Sequence, residues 1–151
     1  MLYADALPML PDDDTRCSAF YMMGLDYWYL KQWQQAADAF MDAIDSNPRF
    51  EYAGATHWLI SDCYENLKRE GQIPGDEADP AIEWGYQTLF EQYPETHVVE
   101  YAAVRLGEIN LARGRPATAC MYFNWFLDRA DVNDGRIGLV RRILEGKEVC
   151  R

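Results

Sequence analysis

One stretch of this 151-residue chain leaves little freedom in how it folds. Residues 17–50 place small side chains at Gly24 and Ala36 and large ones at Phe20, Met23, Tyr27 and Phe40. Ala43 follows, and a proline stands at Pro48. Apolar residues recur at helical spacing on both sides of a break between Leu30 and Gln34. The pattern describes two antiparallel helices. Glycine and alanine sit where the helices must approach closely, with aromatic rings beside them. Pro48 follows the second helix, where it can stop a helix without breaking one. Such a hairpin cannot bury its apolar faces alone and needs stacked neighbours.

The neighbours are present. A second hairpin starts near Gly54, with Ile60 and Ser61 in the places of Met23 and Gly24, and Tyr64 in that of Tyr27. Its second helix is expected over 81–93, with Ile82, Tyr86 and Leu89 in the core and Pro94 as the stop. Residues 71–79 read as an inserted loop, Asp79 as the cap of the next helix and Pro80 as its first residue. A third hairpin starts near Glu100. It has Leu106-Gly107, then Pro116 opening a helix with Ala119, Phe123 and Phe126. Asn110 and Asp131 replace the expected tyrosine and proline. Finally, 136–146 reads as an amphipathic helix with Ile137, Val140, Ile143 and Leu144 on one side, suited to cover a last apolar face.

This spacing resembles that of tetratricopeptide repeat (TPR) proteins over residues 17–133. The segment from Tyr93-Pro94 through Leu106-Gly107-Glu108 to Phe123 and Phe126 is loosely similar to repeats of bacterial cell-envelope and outer-membrane-assembly proteins. The resemblance implies an all-α, short right-handed α-solenoid of three helix hairpins plus a C-terminal capping helix. The expected divisions are an extension over 1–16, repeats at 17–50, 54–96 and 100–133, and a cap and tail over 134–151. It also implies a non-enzymatic protein–protein interaction module, a scaffold or adaptor, whose first helices line a concave groove. Carried onto this chain, the groove row comprises Ser18, Tyr21, Leu25, Trp28 and Tyr29, then Ala55, Trp58, Asp62, Glu65 and Asn66, then Tyr101, Val104, Glu108, Leu111 and Ala112, with Arg105 beside it. That row is aromatic and acidic, which suits a protein or peptide with basic and apolar character. It lacks the basic residues of a clamp for acidic C-termini. Trp33 and Trp84 are expected in inter-helix packing, and Trp125 partly exposed.

Two other readings belong beside the groove. Residues 1–15 could fold back over its aromatic side. Alternatively, the chain could be a structural subunit that self-associates or supports a larger cell-envelope or enzyme complex. Charge gives the second a direction. The net charge is −11, but residues 1–112 carry 6 basic and 20 acidic side chains while 113–151 carry 8 and 5. The acidic front of one copy could meet the basic cap of the next, where Arg141 and Arg142 lie.

Composition excludes several classes. At 49% apolar residues, the chain is too hydrophobic for a disordered one. No run approaches the roughly 20 apolar residues that span a bilayer. The acidic balance argues against binding nucleic acid. No metalloprotease, hydrolase-elbow or phosphate-loop motif occurs, so no cofactor or catalytic residue is expected. Asp12-Asp13-Asp14 fails the calcium-loop spacing, and Asp13 or Asp14 reads as the cap of the first helix. Cys17, Cys63, Cys120 and Cys150 form no CxxC and read as small buried hydrophobes. The first 14 residues have no positive and apolar signal pattern, which favours a cytoplasmic protein, or a periplasmic one if the chain is a trimmed mature form.

Overall fold

A computed structural model describes residues 13–147 and 150. Among these residues there are seven helices and no strand: α1 (Asp13–Tyr29), α2 (Trp33–Ser46), α3 (Ala53–Arg69), α4 (Gly75–Gln92), α5 (Val99–Ala112), α6 (Pro116–Arg129) and α7 (Arg136–Lys147). The chain divides into two compact units, Met1–Tyr93 and Pro94–Arg151. In the first, α1 packs on α2, α2 on α3 and α3 on α4. In the second, α5 packs on α6 and α6 on α7. The all-helical order of three hairpins and a last helix is the one expected from the sequence. The expected extension reaches only part-way to residue 16, because α1 is already under way at Asp13. The reading of residues 1–15 as a cover for the groove falls mostly outside the described residues.

Each hairpin is closed by one tight contact. A Cβ on Gly24 would lie 2.5 Å from the Phe40 ring, and one on Gly107 would collide with Phe123, so glycine on the first helix receives an aromatic ring from the second. The middle hairpin reverses the roles. There the first helix offers Ser61 and the second offers Gly85, whose added Cβ would strike Ser61 Oγ and lie 2.8 Å from the His57 carbonyl. Ser61 is fully buried, and its hydroxyl donates to the Ile82 carbonyl at 2.8 Å across the same seam. Two polar groups thus satisfy each other where the other hairpins place a ring.

Each first helix also ends in the same way. Gln32 N donates to Tyr27 O, Gln72 N to Leu67 O, and Arg115 N to Asn110 O, each at 2.9 Å. This six-to-one closure needs a left-handed residue just before the donor. Gly71 and Gly114 fill that place at φ 70°, but in the first hairpin it is Lys31, at φ 58°.

Only residues 71–74 of the expected loop connect the two helices. α4 begins at Gly75 and runs through Pro80, and Asp79 is inside the helix and not its cap. Asp76 and Glu77 lie in the first turn, where the helix dipole favours carboxylates. Pro80 is near enough to the start that it removes one hydrogen bond. The extra residues make α4 18 residues long, against 14 for each of the other second helices, α2 and α6, whereas α3 at 17 matches α1. Lys68 of α3 pairs with Asp79 of α4 at 2.7 Å. The expected cap at Asp13 or Asp14 is also revised, since both lie within the helix. Asp14 lies within α1, and its carboxylate accepts a 2.6 Å hydrogen bond from Asn47, while Asp12 lies outside the described residues. Asn110 is buried and donates to Leu106 O at 2.7 Å, so it closes on its own helix in place of the expected tyrosine.

Two substitutions test these contacts by urea unfolding. Gly85→Ala is expected to destabilise the protein by about 1–3 kcal/mol, because the His57 carbonyl is backbone and cannot swing away. Gly135→Ala, with open space around its Cβ, serves as the control. Lys31→Gly is expected to stabilise by about 0.5–1 kcal/mol. Relief of about 1–2 kcal/mol of left-handed strain exceeds the roughly 0.4–1 kcal/mol lost to a freer unfolded chain.

Candidate functional site

α1 and α3 present the first two parts of the expected row. Trp28 Nε1 donates to Asp62 Oδ2 at 2.8 Å, tying the helices together. Asn66, itself buried, donates one turn back to Asp62 O at 2.8 Å and to Asp62 Oδ2 at 3.2 Å. Arg69 donates to the Asn66 side-chain oxygen. The result is a connected strip from the Arg69 cation through Asn66 and Asp62 to the Trp28 indole. Burial is the largest influence on the Asp62 carboxyl and pushes its pKa up. The Trp28 hydrogen bond acts against it, and the charges of Glu65 and Arg69 raise and lower it in turn. Glu65 accepts a 2.6 Å hydrogen bond from the buried Tyr86 hydroxyl. Two of the row's carboxylates are therefore held by internal donors.

The aromatic part of the row divides into two clusters. Tyr29 stands edge-on to Trp28 at 5.2 Å and is 73% exposed, with Leu30 beside it at 66%. Tyr21 lies stacked on Tyr52, with centroids 5.2 Å apart and planes 12° apart, and meets Phe50 edge-on at 5.7 Å. Tyr52 is 48% exposed. Leu25, Trp28 and Trp58 are half-buried against the core that α2 and α3 share. Sequence reasoning missed Phe50, Tyr52, Leu30 and Arg69. The run Phe50-Glu51-Tyr52 between the first two hairpins was the available signal.

In the second unit Tyr101, Arg105 and Glu108 are all half-buried on α5. Arg105 forms an ion pair with Glu108 one turn on, so Glu108 meets a cation of its own helix. Val104 is buried. Trp84 packs between helices as expected, its ring edge-on to His57 of α3 at 4.9 Å, while remaining 41% exposed. Trp33 fits the expectation, buried in the core with its indole donating to Glu70 at 3.0 Å.

His57, Cys17 and Cys63 are turned inward. His57 is 2% exposed and lies against Trp84 and Tyr93, and its Nδ1 makes no hydrogen bond. Burial pushes its pKa down to about 4. Cys17 and Cys63 are fully buried free thiols. Burial, and secondarily Asp14, raises Cys17 to about 11, and burial with the charge of Asp62 raises Cys63 further. Both stay protonated and non-nucleophilic. The other two cysteines correct the sequence reading. Cys120 and Cys150 are bonded to each other as a disulfide, with Cα atoms 5.3 Å apart, and neither is buried. A separation of 30 residues carries no spacing signal from which the pair could be read.

The tetratricopeptide repeat family model matches residues 18–49, which cover most of α1, the turn after it and all of α2. No curated protein matches the chain. The family match and the repeated helix pairs together support a tetratricopeptide repeat protein. The repeat supports a protein–protein interaction or scaffold module in general, with protein partners, and the family is typically non-catalytic. Among the described residues no helix is long and apolar enough to cross a membrane.

His57 makes the first unit sensitive to acid. Above its unfolded pKa of 6.5 the imidazole is neutral in both states. As pH falls from 6.5 toward 4, the unfolded chain takes up a proton that the folded protein refuses, and stability falls. Between pH 7.5 and 4.5 the loss is about 2–3 kcal/mol. Urea unfolding at the two pH values should show His57→Phe losing less than the parent by that amount. Equal losses in the two proteins would contradict it.

Proposed function

We propose that the protein is a non-enzymatic interaction module. In this reading, the α1–α3 face of the first unit binds a protein segment of mixed basic and apolar character. The contact surface comprises Tyr21, Leu25, Trp28 and Tyr29 of α1 and Trp58, Asp62 and Glu65 of α3; Asn66, expected in the same row, is buried and holds Asp62 in place instead of meeting a partner. Phe50 and Tyr52 extend it at one end. The single observation that carries this reading is the exposure of Tyr29 beside Trp28, whose indole fixes the Asp62 carboxylate. Aromatic rings give contact area at low rotamer cost. A carboxylate held by an indole or a phenol keeps its position without further ordering, which reduces the cost of meeting an arriving cation. Tyr101, Arg105 and Glu108 of the second unit offer a polar patch of their own.

A second reading, self-association in a structural or assembly role, has one observation in its favour. Asp38, Asp42 and Asp45 crowd one exposed face of α2. The Asp42 pKa is raised by burial and then by the charges of Asp45 and Asp38. Such a face suits a basic surface, including Arg141 and Arg142 of α7 on another copy. A salt-sensitive oligomer in light scattering is the expected sign of it. A monomer at all salt concentrations would remove it.

The groove reading is tested by fluorescence anisotropy with two labelled 15-residue peptides of identical apolar residues, one carrying Lys and Arg and the other Asp and Glu. The basic peptide is expected to bind and to weaken as salt rises. Tyr29→Ala and Tyr52→Ala should each weaken it about tenfold or more, with helical circular dichroism unchanged. Equal binding of the acidic peptide, or full affinity in the double variant, would contradict the reading.

A further inference from the structure

We infer that the Cys120–Cys150 disulfide is a latch that holds α7 on the second unit, and that the protein works in an oxidising compartment where that latch is closed. The four cysteines are sorted by environment. Cys17 and Cys63 are sealed in the first unit with thiols that stay protonated, so neither competes for exchange. Cys120 is half-buried on α6, and Cys150, beyond the end of α7, is exposed. These two are joined to each other.

α7 needs such a fastening. It seals one side chain, Val140, while Ile143 and Leu144 are half-buried and Leu139 is 40% exposed. Its start is clamped by Arg136, which donates from Nε to Asp134 at 2.9 Å and sits over the Phe126 ring at 5.3 Å, with Glu100 at 3.9 Å. Beyond its other end comes the covalent bond to α6, with the Asn124 amide 3.1 Å from Cys120 Sγ and 3.6 Å from Cys150 Sγ. One clamp is ionic and solvent-accessible. The other closes a loop of 30 residues, long enough for the cross-link to restrict the open chain strongly.

Closure is thiol–disulfide exchange. The thiolate of one cysteine attacks a disulfide donor, forming a mixed disulfide and releasing one donor thiol. The second cysteine's thiolate displaces the donor's other sulfur. Two electrons and two protons pass from the cysteine pair to the donor, which leaves as two thiols. Disulfides of this kind persist in exported or extracytoplasmic proteins and are rare where glutathione and thioredoxin keep thiols reduced. The pairing therefore revises the expectation of a cytoplasmic protein toward the periplasmic alternative.

Alkylation with N-ethylmaleimide and mass spectrometry test both parts. The folded, unreduced protein is expected to take up no label. Unfolded without reductant it should take up two, on Cys17 and Cys63, and after reduction four. Hydrogen exchange should then show the α7 amides opening about 10²-fold more often once the bond is reduced, with α1–α4 unaffected. Cys150→Ser should reproduce that change without reductant. Four labels before reduction, another pairing, or unchanged α7 exchange would overturn the latch. Alkylating native cells before lysis tests the compartment: the pair should be found unlabelled, and labelled Cys120 and Cys150 would overturn it.

Discussion

The close approach of two helices at one small residue sets the rest of this structure. Gly24 under Phe40, Gly107 under Phe123, and Gly85 against Ser61 bring each pair near enough that the flanking aromatic rings fill the remaining space. A helix face this tightly engaged leaves the opposite side of the first helix free. That is why Tyr29 and its neighbours point outward although the chain is rich in aromatic residues. The proposed binding surface is thus a by-product of the packing geometry: Tyr21, Leu25, Trp28 and Trp58 rest partly on the core, and Tyr29 lies beyond it.

Electrostatics refine that surface. Placed only on the sequence, Asp62, Glu65 and Glu108 look like free negative charges. In the fold each has a donor at hand: the Trp28 indole, the Tyr86 hydroxyl and the Arg105 guanidinium. A hydrogen bond to a carboxylate fixes its direction without cancelling its charge, whereas an ion pair largely cancels it. Asp62 and Glu65 are therefore fixed in direction by the indole and the phenol.

Much of the architecture was legible because close packing constrains residue size at fixed spacing. Gly24, Ala36, Phe40, Gly107, Ala119 and Phe123 follow one rule and stand where it puts them. The middle hairpin was harder to read. Its glycine moved to the second helix, so Ser61 looked like a weak match when it is half of a reversed contact. Its extra residues contained Gly75 and Pro80, the usual signs of a turn, yet acidic residues at the helix start and the Lys68–Asp79 pair support a longer second helix. At the candidate site, the α1 and α3 positions followed from periodicity. Phe50 and Tyr52 did not, because they lie between repeats where no periodic rule applies. The cross-chain bonds of Trp28 and Cys120 depend on tertiary contact that residue spacing does not encode.

The five tryptophans supply the most direct test of the central claim, that the α1–α3 face of the first unit is the binding surface. Each indole N–H gives its own signal in a nitrogen–proton correlation spectrum. On titration with the basic, apolar peptide, the Trp28 and Trp58 signals should move together and saturate, while the Trp125 signal stays in place. Movement of Trp125 with Trp28 and Trp58 unchanged would contradict the account.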